Sequence, residues 1–325
     1  MYILKPYTPQ LKGDWEKVLQ RAVNGTFLHS RNYLEYHGER FSDVSLIIYK
    51  ENIPVGTFPA HRNGDEIYSH QGLTYGGLVI TLLLSLENIL IIFREVLRYY
   101  AESGARKIHI QELPSLYVST NTEWLSYLMF IVGGKVSRAD LTFAVPLPLS
   151  QGNYSKGRSW GIKRSQKNGL KVKETADFKT FWEKVLIPNL WSRHQVKPVH
   201  SLEEIQHLAT NNHPHIRQFE VWDQDELIAG TTVFETTTTA HTQYISSTPR
   251  GKETSALDLL IHYLMTEVYS GKLFFDFGIV NTDQGRKINR GLMEWKESFG
   301  ARPYVHLTYS VDPGNYKLLD GVIPP

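Results

Sequence analysis

Near the end of the chain a lone cation stands beside an apolar seam, in the run Trp295-Lys296-Glu297-Ser298-Phe299-Gly300. Leu292, Trp295 and Phe299 recur at the spacing of one helical face. Gly300 falls where a helix ends in the left-handed conformation. Lys296 then has two readings. Its stem snorkels along apolar surface to water, or its ammonium is held in a water-poor cleft, where it stabilises developing negative charge far better than in water. Asp276 lies mid-strand between Phe275 and Phe277. A carboxylate there needs a partner, and Lys296, Arg290 or an acceptor amine are the candidates. His70 and Gln71 come at a strand end, with Tyr75 just before Gly76-Gly77. This set suits a cleft that reads a sugar or an amine. The unperturbed imidazole of His70 has the right pKa for proton transfer, and a histidine hydrogen-bonded within a sheet is the competing reading. Asn281 and Asn289 follow on a loop and a helix as hydrogen-bonding groups for a ligand.

Two further clusters carry charge. Lys156, Arg158, Lys163, Arg164 and Lys167 fall within one expected helix, on which Lys163 and Lys167 share a face. It reads as an anion-binding helix or as a solvated one. Arg250-Gly251-Lys252 precede Thr254 and Ser255, either of which suits the cap of the apolar helix that follows. His194, His200, His213 and His215 have no cysteine and no acidic spacing to complete a metal set, so no metal is expected. The chain has no Gly-x-Ser-x-Gly elbow and no phosphate loop, which removes hydrolase and kinase readings.

The elements that must position these groups come from a chain of 325 residues, long enough for two domains. At 41% hydrophobic and 21% charged it is an ordinary globular composition, and a formal charge of +2 gives no strong global field. With no cysteine there is neither disulfide nor thiol nucleophile. The N-terminus lacks the apolar core of a signal peptide. The greasiest stretch, residues 77–100, is broken by Ser85, Glu87 and Asn88 and reads as a buried helix, not a membrane span. A cytoplasmic protein is expected, in which the Asn153 sequon has no meaning. The tail from Asn315 reads as an extended or disordered end.

In the second half the order is helix (177–194), helix (201–213, opened by the Ser201/Glu204 capping box), three antiparallel strands, helix, strand, helix (285–300) and strand. The first half repeats three strands, helix, strand, helix, strand more loosely. The expected class is α/β with a mixed sheet, in two domains, 1–150 and 151–325.

That duplicated order resembles a tandem pair of GNAT-fold (N-acetyltransferase) domains of the FemABX-like acyltransferases, including proteins of the kind found in bacterial polysaccharide gene clusters. Its carriers are residues 68–77, 157–172, 274–281 and 292–301. The resemblance implies an acyl group moved from an acyl-coenzyme A thioester to an amine, with a small-molecule or sugar-nucleotide acceptor such as an amino sugar of a surface polysaccharide precursor. It implies an aromatic-Lys-x-x-Phe-Gly pattern at Trp295 to Gly300, with Lys296 near the donor carbonyl and His70 or Asp276 relaying the proton. It places phosphate or acceptor contacts on Arg158, Lys163 and Arg164, with Tyr75, Trp295 and Asn281 lining the substrate. The donor pyrophosphate is expected at Arg250, Gly251, Lys252 and Thr254. Two alternatives stay open: an aminoacyl-tRNA-dependent transferase acting on a cell-wall peptide, and a non-enzymatic GNAT pair that binds a ligand. The oligomeric state is not readable.

Overall fold

The computed structural model describes residues 1–82, 84–120, 122–150 and 154–322, with His194 by its backbone alone; the Asn153 sequon lies outside them. The chain divides into two compact units. One is Met1–Asp140 together with the segment from Val305 on; the other is Leu141–Tyr304. The expected single cut at 150 is therefore replaced by an exchange. The strand Lys135–Pro146 starts in the first unit and pairs through residues 142–146 with the second unit's strand Phe274–Ile279. The strand Arg302–Val311 returns to the first unit, where Thr308–Val311 pair antiparallel with Lys107–Gln111.

In the first unit Tyr2–Pro6, Leu46–Lys50, Ile53–Phe58 and Val79–Ile80 form an antiparallel sheet. Glu66–Tyr68 runs parallel to Lys107–Gln111. Between them lies the helix Leu86–Glu102, which buries Ile92, Phe93, Val96 and Leu97. The expected helix over 77–100 is thus split. Val79–Ile80 is a strand, and Ser85 starts the helix by accepting from the Asn88 amide, so the polar interruption is a cap. The described start of the tail is not extended: Pro313–Leu319 is a 3₁₀ turn whose Leu319 joins the same core as the 86–102 helix.

Buried histidines mark this unit. His70 sits at φ 75° among His37, Phe41 and His61, and its Nδ1 has no partner among the described residues. Burial first, then the neighbouring imidazoles, pushes it down to about 3; burial, opposed by the Thr26 backbone, pushes His29 to about 4. Both folded values lie below the unfolded 6.5. Above that pH neither ring binds a proton in either state. Below it the unfolded chain gains protons that the folded one refuses, so stability falls as pH drops from 6.5 toward 4 and 3. The expected loss at pH 5 is about 2 kcal/mol per histidine. Urea midpoints at pH 7 and 5 measure it, and His70→Phe should reduce the difference by about 2 kcal/mol.

In the second unit Lys171–Thr175, Ile216–Asp223, Glu226–Glu235 and Thr239–Ser247 follow one another antiparallel. Phe274–Ile279 then lies parallel to the last of them. The helix Leu202–Asn211 has both hydrogen bonds of the Ser201/Glu204 capping box. Between the sheet and the helices Ala256–Tyr263 and Arg290–Glu297, Phe219, Val221, Ile228, Leu260, Phe275, Phe277 and Phe299 form the core. The last helix is shorter than expected, because residues 281–288 instead make a small hairpin, Asn281–Thr282 with Lys287–Ile288. Among the described residues no helix is long and apolar enough to cross a membrane.

Candidate active site

The parallel pairing of Thr239–Ser247 with Phe274–Ile279 covers three residue pairs: Thr239 with Phe274, Ala240 with Phe275, His241 with Asp276. Beyond them the strands part, so His241 and Asp276 stand at the vertex of the opening. Asp276 is fully buried. Its Oδ1 accepts from Thr142 Oγ1 and, at 3.0 Å, from the Gly278 amide; its Oδ2 lies 2.6 Å from His241 Nδ1. With the carboxylate ionised, Nδ1 is the donor of that bond.

Against the closing strand, Asp276 faces Ala144 and Ile279 faces Thr142, which leaves Phe277-Gly278 as a bulge. Gly278 takes φ 78°, which favours glycine, and a β-carbon on it would lie 3.2 Å from His241 Cε1. The bulge turns the Gly278 carbonyl toward Lys296. Lys296 is 3% exposed, and its Nζ donates to Gly278 O at 2.7 Å and to Ile279 O at 2.8 Å. It is thus a buried cation seated on two carbonyls, not a snorkelling one. Burial lowers its pKa to about 8, with the Asp276 charge opposing that shift. Gly278 bridges the pair, its N–H on Asp276 and its carbonyl on Lys296. The Trp295/Phe299 seam fixes the helix on Phe277, Trp295 edge-on and Phe299 tilted, with each centroid 5.5 Å away.

Asp276, Lys296 and Trp295 are therefore assembled in one place, and His241 joins them. The sequence reading passed over His241. The available signal was that Thr239-Ala240-His241 and Phe274-Phe275-Asp276 carry their polar residue at the same position, if the two strands align in parallel.

The other expected residues have different settings. Asn281 accepts from the Leu141 amide and donates to Gly285 O at 3.0 Å, so both ends of its amide shape the hairpin loop. Asn289 caps the last helix. Arg158, on the helix Lys156–Lys167, points inward: it pairs with Asp258 at 2.6 Å, donates to Ser298 Oγ at 2.8 Å and covers the Phe299 ring at 4.8 Å. Arg164 donates to Ser255 Oγ at 2.6 Å, while Lys163 is exposed. Lys156, Trp160, Lys163 and Lys167 form the exposed stripe of that helix. His70 and Tyr75 belong to the first unit; both are buried, and Tyr75 packs on Tyr117 at 4.9 Å. An imidazole held near 3 is a poor proton acceptor at neutral pH.

At the expected pyrophosphate position the groups are satisfied internally. The Gly251 amide donates to the Thr248 cap, Thr254 Oγ1 donates to Arg250 O, and Arg250 pairs with Asp223 at 2.9 Å. Gly251 is needed for close packing, since a β-carbon there would meet Ile228 O at 2.2 Å. Beside it an open hollow of 620 Å³ is lined by Asp223, Asp225 and Glu226 against Lys184 and Arg250. Lys252 is exposed. Among the described residues no group of three or more histidine, aspartate or glutamate side chains is placed to hold a metal.

No family model matches the chain, and no curated protein matches it in sequence. Among solved structures it is similar to FemX, with a TM-score of 0.68 at 11% identity over 98% of this chain and 99% of that one. L-PGS from Bacillus licheniformis gives 0.61 at 11% identity, over 98% and 95%. A tandem GNAT protein from the clavulanic acid biosynthesis pathway gives 0.55 at 10% identity, over 97% and 99%. The chain has the tandem GNAT, FemABX-like fold, in a mixed α/β architecture.

Proposed function

We propose that this chain is an acyltransferase that moves an acyl group from an acyl-coenzyme A thioester to an amine, with an amino sugar of a surface polysaccharide precursor as the acceptor. The observation that carries the reading is the buried Lys296 ammonium beside the vertex of two parted parallel strands. The parallel pairing ends at His241, so the strand edge after it forms no ladder with Phe274–Ile279. An extended donor arm bearing amides, such as pantetheine, can pair with such an edge as a short strand does. Its thioester carbonyl would then approach the vertex. Two of the three Lys296 N–H groups have partners among the described residues, and in this reading the third donates to the oxyanion. In this reading the donor's anionic end meets Lys252 more readily than the engaged Arg250, Gly251 and Thr254.

A second reading has its own support. The acid-lined hollow is a poor seat for a pyrophosphate. The exposed Lys156, Trp160, Lys163 and Lys167 stripe, on a helix with no acidic residue, suits a nucleic-acid backbone and a stacking base. Both features favour an aminoacyl ester on tRNA as the donor and a cell-wall peptide as the acceptor.

Thermal melting of the full chain with coenzyme A, acetyl-coenzyme A, and uncharged or charged tRNA separates the two. A donor at a hundredfold excess over its Kd should stabilise by about 2.7 kcal/mol. A shift with acetyl-coenzyme A supports the thioester reading, and one with tRNA alone replaces it by the second. No shift with any of them would leave the non-enzymatic binding pair.

A further inference from the structure

We propose that His241 is the general base of the reaction and that Asp276 is its positioning residue. This rests on the acyl-transfer reading above. The ring is held from three sides. Asp276 Oδ2 accepts a hydrogen bond from Nδ1–H at 2.6 Å, which leaves the lone pair on Nε2. The absence of a side chain at Gly278 makes room for Cε1. The backbone of the last paired residue fixes the Cα opposite Asp276. His241 keeps 15% of its side chain exposed, whereas Asp276 is fully buried. One member of the pair is therefore reachable by substrate and the other is not, the division of labour expected of a base and its orienting carboxylate. The carboxylate is itself fixed by Thr142 and the Gly278 amide, so it does not swing with the ring.

In the proposed step the acceptor nitrogen attacks the thioester carbonyl carbon. A C–N bond forms, the carbonyl π pair moves to oxygen beside Lys296, and His241 Nε2 takes a proton from nitrogen. Collapse breaks the C–S bond, and the imidazolium returns the proton to the leaving sulfur. Amide and free thiol are the products, and no other reactant is required. The charged groups packed about the ring from the strand and from the last helix are Asp276 and, through Gly278, Lys296. An anion and a cation on the two sides of one glycine hold the imidazole in a polarised site.

The test uses the full chain with acetyl-coenzyme A and a panel of amines that includes glucosamine and a nucleotide-linked amino sugar, and it follows thiol release against pH. His241→Gln should lower kcat by about 10²–10⁴-fold, keep the KM for acetyl-coenzyme A, and lose the acid limb of the wild-type pH profile. Imidazole added to His241→Ala should restore turnover. Asp276→Asn, with the ring retained, should move that limb, which a merely structural role would leave in place. A melt of each variant identifies any that does not fold, and His241→Asn serves as the second variant if His241→Gln fails. Wild-type turnover and pH profile in a folded His241→Gln would overturn the base while the acyl-transfer reading stands. A wild-type chain with no turnover on any amine, and no melting shift with acetyl-coenzyme A, would overturn that reading and the base with it.

Discussion

Replacing Lys296 by Met should cut turnover by about 10²–10³-fold while changing stability by no more than about 3 kcal/mol. The two numbers come from different terms. The rate loss is that of removing one oriented cation or donor from an oxyanion site, about 3 kcal/mol of transition-state stabilisation. The stability change is a small difference between opposed effects. Met leaves the Gly278 and Ile279 carbonyls without their donor, at about 1–3 kcal/mol each. It also removes a charge that burial holds at a pKa of about 8 instead of the ordinary 10.5, a penalty of about 3 kcal/mol. Because the folded pKa is the lower one, that penalty is present in full below pH 8 and fades as pH rises toward 10.5. The same titration removes the cation. Wild-type activity should therefore fall above about pH 8 with no loss of stability, an effect that parallel rate and melting measurements across pH 7–10 would separate. A variant that melts as the wild type and turns over normally would return Lys296 to a structural role.

The largest loss of stability is expected from Gly161→Ala. A β-carbon there would lie 2.0 Å from Asp258 Oδ2 and 3.2 Å from Ser255 Oγ. Asp258 cannot yield, because Arg158 holds its other oxygen at 2.6 Å and both are largely buried. Displacing the carboxylate leaves a largely buried guanidinium without its charge partner. The cost of breaking such a pair is about 3–5 kcal/mol. Ser165, one turn on, is fully buried, and its hydroxyl lies 2.7 Å from Thr254 O and 2.8 Å from Ser255 O, which share its one proton, so the helix has no slack to slide. Urea unfolding of Gly161→Ala against Lys163→Ala, exposed on the opposite stripe, measures the difference. The second variant should stay within about 0.5 kcal/mol of the wild type.

That result bears on how the basic helix reads as text. Five cations in twelve residues suggest one anion-binding surface, yet the fold sorts them. Arg158 and Arg164 turn inward to Asp258 and Ser255, partners about a hundred residues away, while the lysines stay outside. Gly161, which interrupts the charge pattern, is the contact that allows the sorting.

Local signals were legible. The Ser201/Glu204 box and the alternating strands appear as read or close to it. The seam of Leu292, Trp295 and Phe299 also lies against the core, and Gly300 ends it at φ 88°. What was not legible depends on register between distant segments. His241 reads as one polar residue in a threonine-rich strand until parallel pairing sets it opposite Asp276. The Gly278 bulge, which converts a lysine beside a seam into a buried cation, is likewise a property of pairing with Thr142 to Pro146. The exchange of closing strands has no local signature, because each strand carries the same alternating pattern whichever sheet it joins.

The exchange has a consequence for synthesis on the ribosome. Domains generally fold as units, N-terminal first, as they emerge. Here the first unit needs Thr308–Val311 beside Lys107–Gln111, and the whole of residues 141–304 is made in between. At ordinary elongation rates that interval lasts roughly 10–30 s. Throughout it the 107–111 strand has an open edge able to pair with another nascent chain. The second unit has its Leu141–Pro146 segment before any of its other strands emerges. The C-terminal half can therefore close while the N-terminal half waits, so that the order of completion runs against the order of translation.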